Sequence, residues 1–161
     1  IFTYGLKKFN KKCKEVRVDG MIVVDLSYPD NIKFSRLCKK NSICFVQLIA
    51  PTTSIKRMKD ILRISDSTIY MISMISTTGS ALKVTTRKIM KNYEIIKQLS
   101  PLKNVIIGFG ITEKTIGKLK SANGLVVGSA ICKEITRSLK SRQNPVINVV
   151  KLVSKLKKKI I

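Results

Sequence analysis

Apolar and polar residues follow two different periods along this chain, and the two periods take turns. Between residues 5 and 16 the apolar positions lie three or four apart with lysines between them, which predicts an amphipathic helix. After Asp19-Gly20 the chain changes to an unbroken apolar run over residues 21–24 that ends at Asp25. A run that is apolar on both faces is typical of a buried parallel strand.

The same alternation of helix and strand repeats toward the end of the chain. Helices are predicted over residues 31–40, 55–64, 85–99 and 113–122, with one or two more from Ala130 onward, and strands over residues 43–49, 68–73, 104–107 and 124–127. Short apolar strands that alternate with helices predict parallel βα units joined by right-handed crossovers. No linker divides the series, so we expect one α/β domain over residues 1–161. A barrel segment and an open doubly wound sheet both fit the pattern.

Length and the first residues narrow this expectation. The chain has 161 residues, whereas a whole (β/α)₈ barrel needs about 200 to 250. It opens at Ile1 and lacks the charged start and small-residue cleavage site of a secretion signal. We therefore expect a fragment of a longer protein. Charged and polar residues interrupt every apolar run before the length of about 18 residues that a membrane span needs, so we expect a soluble protein.

The net charge of +23 taken alone suggests a nucleic-acid or membrane-surface partner. The lysines are spread singly and in pairs along the chain, however, and the few aromatic residues are scattered. A nucleic-acid module needs a coherent basic face with interleaved aromatics, so it remains a less favoured alternative.

The four cysteines do not indicate a metal site. Cys13, Cys38, Cys44 and Cys132 form no C-x-x-C pair, and the chain has no histidine. We interpret them as reduced, mostly buried thiols, which indicates a reducing compartment: bacterial cytoplasm or plastid stroma.

Candidate chemistry lies just after the strands, because ligands bind at the carboxyl ends of parallel strands. The segments that follow the predicted strands are residues 25–29, 50–53, 73–79, 108–111 and 128–130, and the last three are rich in Gly, Ser and Thr. Gly108-Phe109-Gly110 and Gly128-Ser129-Ala130 form a matched pair on consecutive strands. Phosphate sites of (β/α)₈ barrels are commonly built from two such loops and a helix N-terminus. The glycines alternatively serve only to permit tight turns.

Five motifs in register carry a resemblance to a known family. They are residues 18–26 (VDGMIVVDL), 50–53 (APTT), 69–73 (IYMIS) with Thr78-Gly79, 108–111 (GFGI) and 127–130 (VGSA). In order and spacing they resemble the tryptophan synthase α subunit over residues 1 to about 135. The resemblance implies a partial (β/α)₈ TIM barrel whose five parallel strands are the fourth to the eighth.

The resemblance also implies a function. The family is a lyase of tryptophan biosynthesis that cleaves indole-3-glycerol phosphate to indole and glyceraldehyde 3-phosphate. It uses no cofactor of its own, and it passes indole to a pyridoxal-phosphate β subunit in an α₂β₂ tetramer. Carried over by motif, the resemblance implies a set of site residues: the phosphate-binding residues Gly79, Gly110, Gly128 and Ser129, the indole-pocket residues Tyr70 and Phe109, and Thr78 in a mobile loop.

The resemblance has gaps. The family's two catalytic carboxylates belong to a region that precedes Ile1, so no catalytic residue is assigned in this chain and we expect the fragment alone to be inactive. Ser76 breaks the family's Gly-Val-Thr-Gly loop pattern, and Ser27 stands where the family usually has proline, in the segment that faces the β subunit. Another phosphate-binding barrel enzyme remains an alternative. One example is indole-glycerol-phosphate synthase, which needs a catalytic lysine on a strand, and no obvious one is present here.

Overall fold

A computed structural model gives the fold and describes residues 1–26, 28–73, 75–77, 80–82 and 85–161, with backbone only for 75–77 and 80–82. The helices are α1 (Leu6–Glu15), α2 (Asp30–Lys40), α3 (Ile55–Ile64), α4 (Thr86–Leu99), α5 (Ser129–Lys140) and α6 (Pro145–Lys157). The strands are β1 (Gly20–Met21), β2 (Cys44–Phe45), β3 (Gln47–Ile49), β4 (Thr68–Ile72), β5 (Ile75–Thr77), β6 (Ser80–Leu82), β7 (Asn104–Gly108) and β8 (Gly124–Val126).

The five predicted strands lie side by side in chain order. β1 pairs with β2, and β3, β4, β7 and β8 form a second sheet in that order, with every pair parallel. β2 and β3 together are the predicted strand 43–49, interrupted at Val46, whose N–H donates to the Met21 carbonyl at 3.0 Å. The expected succession of parallel neighbours without a reversal of strand order is confirmed. β5 and β6 add a small antiparallel hairpin.

The main core lies on one face of the sheet. Ile69 and Met71 of β4 and Val105 and Ile107 of β7 are buried against side chains of α3 and α4. Because side chains alternate along a strand, the residues between them, such as Tyr70 and Ile106, point to the opposite face. A second cluster joins α1 and α2 to β2, with Phe34 packed edge-on to Phe45 at 5.1 Å between ring centroids.

The first predicted strand is shorter and less buried than its apolar run indicated. β1 ends at Met21, and Ile22 and Val24 are 43% and 76% exposed. Burial on both faces is therefore wrong for residues 21–24. In the part of the chain that the structure describes, packing buries only the face of this segment that meets the second cluster, through Met21 and Val23.

The predicted helix over residues 113–122 is also wrong. The segment contains one turn of 3₁₀ helix, Ile116–Leu119. The N–H of Thr115 donates to the Thr112 carbonyl at 3.1 Å and Thr115 Oγ1 accepts the N–H of Thr112 at 3.0 Å, so residues 112–115 form a turn, and the short helix after it ends at Leu119. Ile116 and Leu119 are nevertheless buried in the main core, which explains their helix-like spacing.

Membrane-spanning helices and clustered metal ligands are both absent from the described ranges. None of the helices there combines the length and the apolar character that a membrane crossing requires. The described residues also contain no cluster of three or more metal-ligating side chains. All four cysteines are free thiols; Cys13 and Cys38 are buried, Cys44 is half-buried and Cys132 is exposed.

Candidate functional site

Three parallel strands bring the candidate loops to one edge. The register aligns Ile72 of β4 with Gly108 of β7, and Gly108 with Val126 of β8. Gly110 and Gly128 each lie two residues beyond this row. The loops that begin with Gly108 and Gly128 therefore follow neighbouring strands and start at the same height along the sheet. They lie at the carboxyl ends of the strands, where barrel enzymes bind ligands.

Tyr70 and Phe109 form an aromatic pair at this edge. Their ring centroids are 5.9 Å apart with the planes at 74°, an edge-to-face arrangement. Tyr70 is 9% exposed and Phe109 is 56% exposed. Burial raises the pKa of the Tyr70 phenol, so the ring remains neutral at physiological pH. The pair thus consists of a buried ring, that of Tyr70, and an exposed ring, that of Phe109, which a ligand could contact.

Gly108 is required by the position of Tyr70. A Cβ atom built at Gly108 would lie 1.8 Å from Tyr70 Oη. No side chain larger than hydrogen fits there while the tyrosine keeps its place. The first glycine of the Gly108-Phe109-Gly110 motif thus serves packing, which sequence reasoning did not separate from ligand binding.

Two consecutive residues after β7 adopt left-handed backbone conformations. Phe109 has φ 69° and Gly110 has φ 64°. Glycine tolerates this region, but a bulky residue such as phenylalanine rarely adopts it. Such strain costs roughly 1–3 kcal/mol and persists where the surroundings hold it, often at binding sites. The Phe109 backbone is therefore an independent indication of function at this loop.

Ser73 ties the end of β4 to this loop. Its N–H donates to the Gly108 carbonyl at 2.9 Å and its hydroxyl to the same oxygen at 2.8 Å. The hydroxyl also contacts the carbonyl of Phe109. Ser73 is 4% exposed. Sequence reasoning placed Ser73 in a Ser/Thr-rich loop but gave it no role; its position as the first polar residue after a buried strand was the available signal.

The N-terminus of α5 lies at the neighbouring loop. Gly128 is the N-cap residue, no side chain of a described residue caps the helix, and its first turn contains no acidic residue. The predicted helix start near Ala130 is confirmed, one residue earlier. A Cβ atom built at Gly128 would meet no atom of the described residues within 4 Å. Within the described residues, nothing next to Gly128 therefore covers the positive end of the helix macrodipole and its N–H groups.

A charged cluster holds the chain that follows the β7 loop. Lys155 and Lys159, from α6 and its end, each place Nζ 2.9 Å from Glu113 Oε1. Hydrogen bonds from Lys159 and Lys155 lower the pKa of the Glu113 carboxyl. The pairs are solvent-exposed, so each contributes little to stability, and the buried Ile111 and Ile116 do more to fix this segment.

Some predicted positions lie outside the described residues: Ser27, Thr78 and Gly79, together with the side chain of Ser76. Their assigned roles stay predictions. The convergence of Gly110, Gly128 and Ser129 on one phosphate, and the contact of Tyr70 and Phe109 with indole, likewise stay predictions.

Comparison with known proteins identifies the family. The family model described as tryptophan synthase alpha chain matches residues 1–161. The chain is 58% identical over 160 residues to the tryptophan synthase alpha chain of Pelagibacter ubique, which covers 99% of this chain and 60% of the relative. The alternatives of another barrel enzyme and of a nucleic-acid module are not favoured by these matches.

Solved structures agree with the sequence matches. Tryptophan synthase subunit alpha from Legionella pneumophila superposes with a TM-score of 0.79 at 26% identity, covering 99% of this chain and 58% of that one. A chain from the Pyrococcus furiosus tryptophan synthase a2b2 complex gives a TM-score of 0.78 at 30% identity, covering 98% of this chain and 63% of that one. The expected partial TIM barrel is confirmed, and the chain spans about three fifths of the length of these relatives. This chain belongs to the tryptophan synthase alpha chain family.

Proposed function

We propose that this chain is the substrate-binding part of a tryptophan synthase α subunit, a lyase that cleaves indole-3-glycerol phosphate to indole and glyceraldehyde 3-phosphate. The observation that supports this most is the juxtaposition at one sheet edge of a strained glycine-containing loop and an uncapped helix N-terminus. Together they suit a phosphate ester, because both present backbone N–H groups to an anion.

The phosphate half of the proposed site consists of Gly110, Gly128 and Ser129, with Gly79 as a further predicted member. The described residues leave the space in front of Gly128 free for phosphate oxygens. The adjacent N-terminus of α5 favours a dianion through its dipole. Among the nine acidic residues of the chain, none lies in the first turn of α5 to repel one.

The aromatic half of the proposed site is the Tyr70–Phe109 pair. An indole ring is flat and apolar, so it gains from edge-to-face or stacked contacts with such rings. Phe109 stands one residue before Gly110 on the same loop, so the loop that contacts the phosphate also carries a wall for the ring. This proximity supports a ligand that holds a phosphate and an aromatic group together.

The cleavage chemistry needs groups beyond this chain's binding residues. A retro-aldol step requires an acid to protonate indole carbon C3 and a base to take a hydroxyl proton. We assign these to the two carboxylates that the family resemblance implies upstream of Ile1. The proposed α subunit works without a cofactor of its own and delivers indole to a pyridoxal-phosphate β subunit. Its proposed location is the cytoplasm or the plastid stroma.

A chimera tests this proposal. The chain replaces the matching 160 residues of the Pelagibacter ubique relative, whose remaining sequence supplies the other strands. We expect the purified chimera to release indole from indole-3-glycerol phosphate and to support growth of an α-subunit-deficient tryptophan auxotroph. A folded chimera that releases no indole, while the parent relative does, contradicts the proposal.

A further inference from the structure

We infer that Ser73 is a positioning residue that aims the N–H groups of Phe109 and Gly110 at the substrate phosphate. The inference rests on the proposed function and deepens it, since it assigns the phosphate-facing backbone to one buried hydroxyl. Ser73 touches neither substrate half itself; it acts through the backbone of the β7 loop.

The geometry of the peptide unit supplies the first step. Ser73 binds the carbonyl oxygens of Gly108 and of Phe109. Neither peptide bond that follows is cis, since the cis bond found in the described chain is Tyr28–Pro29. In a trans peptide the carbonyl and the N–H point in opposite directions. The N–H groups of Phe109 and Gly110 therefore both point away from Ser73.

The strand order shows which element the N–H groups of Phe109 and Gly110 point toward. Ser73 follows β4, and β7 lies between β4 and β8. Groups of the β7 loop that point away from β4 point toward β8 and the start of α5 at Ser129. In a regular strand successive carbonyls alternate between the two neighbours. The left-handed turn at Phe109 breaks this alternation and brings both carbonyls to Ser73.

Burial makes the hydroxyl effective. Within the described ranges, Ser73 is the one side chain that hydrogen bonds to the backbone of Gly108, Phe109 or Gly110. Its hydroxyl has a single proton for two acceptors, and little water reaches it. Removing it leaves the Phe109 carbonyl without this donor and frees the strained peptide to rotate.

Variants at Ser73 in the chimera test the inference. Ser73→Ala removes the hydroxyl, Ser73→Cys replaces it with a slightly larger and weaker donor, and Ser73→Thr keeps the hydroxyl and adds one methyl group. We expect Ala and Cys to raise the KM for indole-3-glycerol phosphate and the calorimetric Kd for inorganic phosphate together, by about three- to tenfold, the equivalent of one hydrogen bond. The kcat should stay within about twofold, because the phosphate is remote from the bond that breaks. Thr should recover both constants.

The matched control is Ser35→Ala. Ser35 Oγ also donates to a backbone carbonyl, that of Ile64 at 2.7 Å, but on the segment that precedes β4. An unchanged KM and phosphate Kd in Ser73→Ala overturns the inference. So does an equal loss of phosphate affinity in Ser35→Ala and Ser73→Ala that parallels their loss of thermal stability. If the unsubstituted chimera binds phosphate but releases no indole, the proposed function fails while the phosphate Kd values still decide the role of Ser73. A chimera without phosphate affinity overturns both.

Discussion

The ring of Tyr70 lies across Gly108, so that a Cβ atom at position 108 would stand 1.8 Å from Tyr70 Oη and 2.4 Å from Cζ. The register explains the contact, because Gly108 pairs with Ile72 and Tyr70 lies two residues earlier on the same face of β4. The Tyr70 side chain of β4 thus fits because Gly108 of β7 has no side chain.

Gly108→Ala is therefore expected to destabilise the chimera by overpacking, by about 1–3 kcal/mol. The φ of Gly108 is not in the left-handed region, so the loss reports the clash with Tyr70 and not backbone strain. In a Tyr70→Ala background the same substitution should cost much less. Urea unfolding of the chimera, the two single variants and the double variant measures the coupling energy between positions 70 and 108.

Gly117→Ala is the control for that cycle, because its added Cβ would meet the Lys159 carbonyl at an ordinary 3.5 Å. It should leave stability nearly unchanged in both backgrounds. Equal costs of Gly108→Ala with and without the Tyr70 ring would show that the close approach does not exist in solution.

The chain by itself is expected to associate in solution. Apolar side chains are exposed just after β1, as at Val24, and on β8, as at Val126. Others are exposed along α6, as at Val146 and Val150. The edges of β1 and β8 are also unpaired within the described chain. Exposed apolar patches and open strand edges promote aggregation. Sedimentation should show oligomers that dissociate on dilution, whereas the chimera should sediment as a single species; a monodisperse monomer of the chain alone contradicts this.

Sequence reasoning recovered the parallel order of the strands because each buried strand leaves an apolar run. It failed where tertiary context decides. The apolar spacing of Ile116 and Leu119 indicated a helix, but the hydrogen bond between Thr112 and Thr115 makes a turn. The run at residues 21–24 indicated two buried faces, and burial of a strand's second face depends on what lies opposite it.

The site was predicted in part, for a related reason. Glycine-rich motifs after strands predict where a backbone can approach a ligand, which is why Gly110 and Gly128 were singled out; their phosphate-binding roles stay predictions. The packing role of Gly108 depends on Tyr70, 38 residues earlier in the chain, and a single sequence does not reveal such a pair. Ser73 was missed because a serine among other Ser and Thr residues gives no sign of which backbone groups it will bind.

Cys38 is expected to resist thiol reagents at neutral pH. Burial raises the pKa of its thiol to about 11, against an opposing hydrogen bond from the Asn10 side chain. A raised pKa in the folded state means that stability is full below the ordinary cysteine pKa and falls as pH rises toward 11. In the folded chimera, chromogenic disulfide titration should label the exposed Cys132 first. Labelling of Cys38 as fast as Cys132 in folded protein contradicts the burial.

The central claim is that the loops after β7 and β8, through Gly110 and Gly128, bind the phosphate of the substrate. Gly128→Val in the chimera tests this claim most directly. Gly128 has a φ of −110°, which L residues adopt, and a Cβ atom there would touch none of the residues that the structure describes. A valine side chain would therefore occupy the phosphate position without straining the backbone. Steady-state kinetics with indole-3-glycerol phosphate should show a KM raised about tenfold or more with kcat little changed, and Gly128→Ala should lie between. An unchanged KM in a normally folded Gly128→Val chimera would show that these glycines serve only the turns.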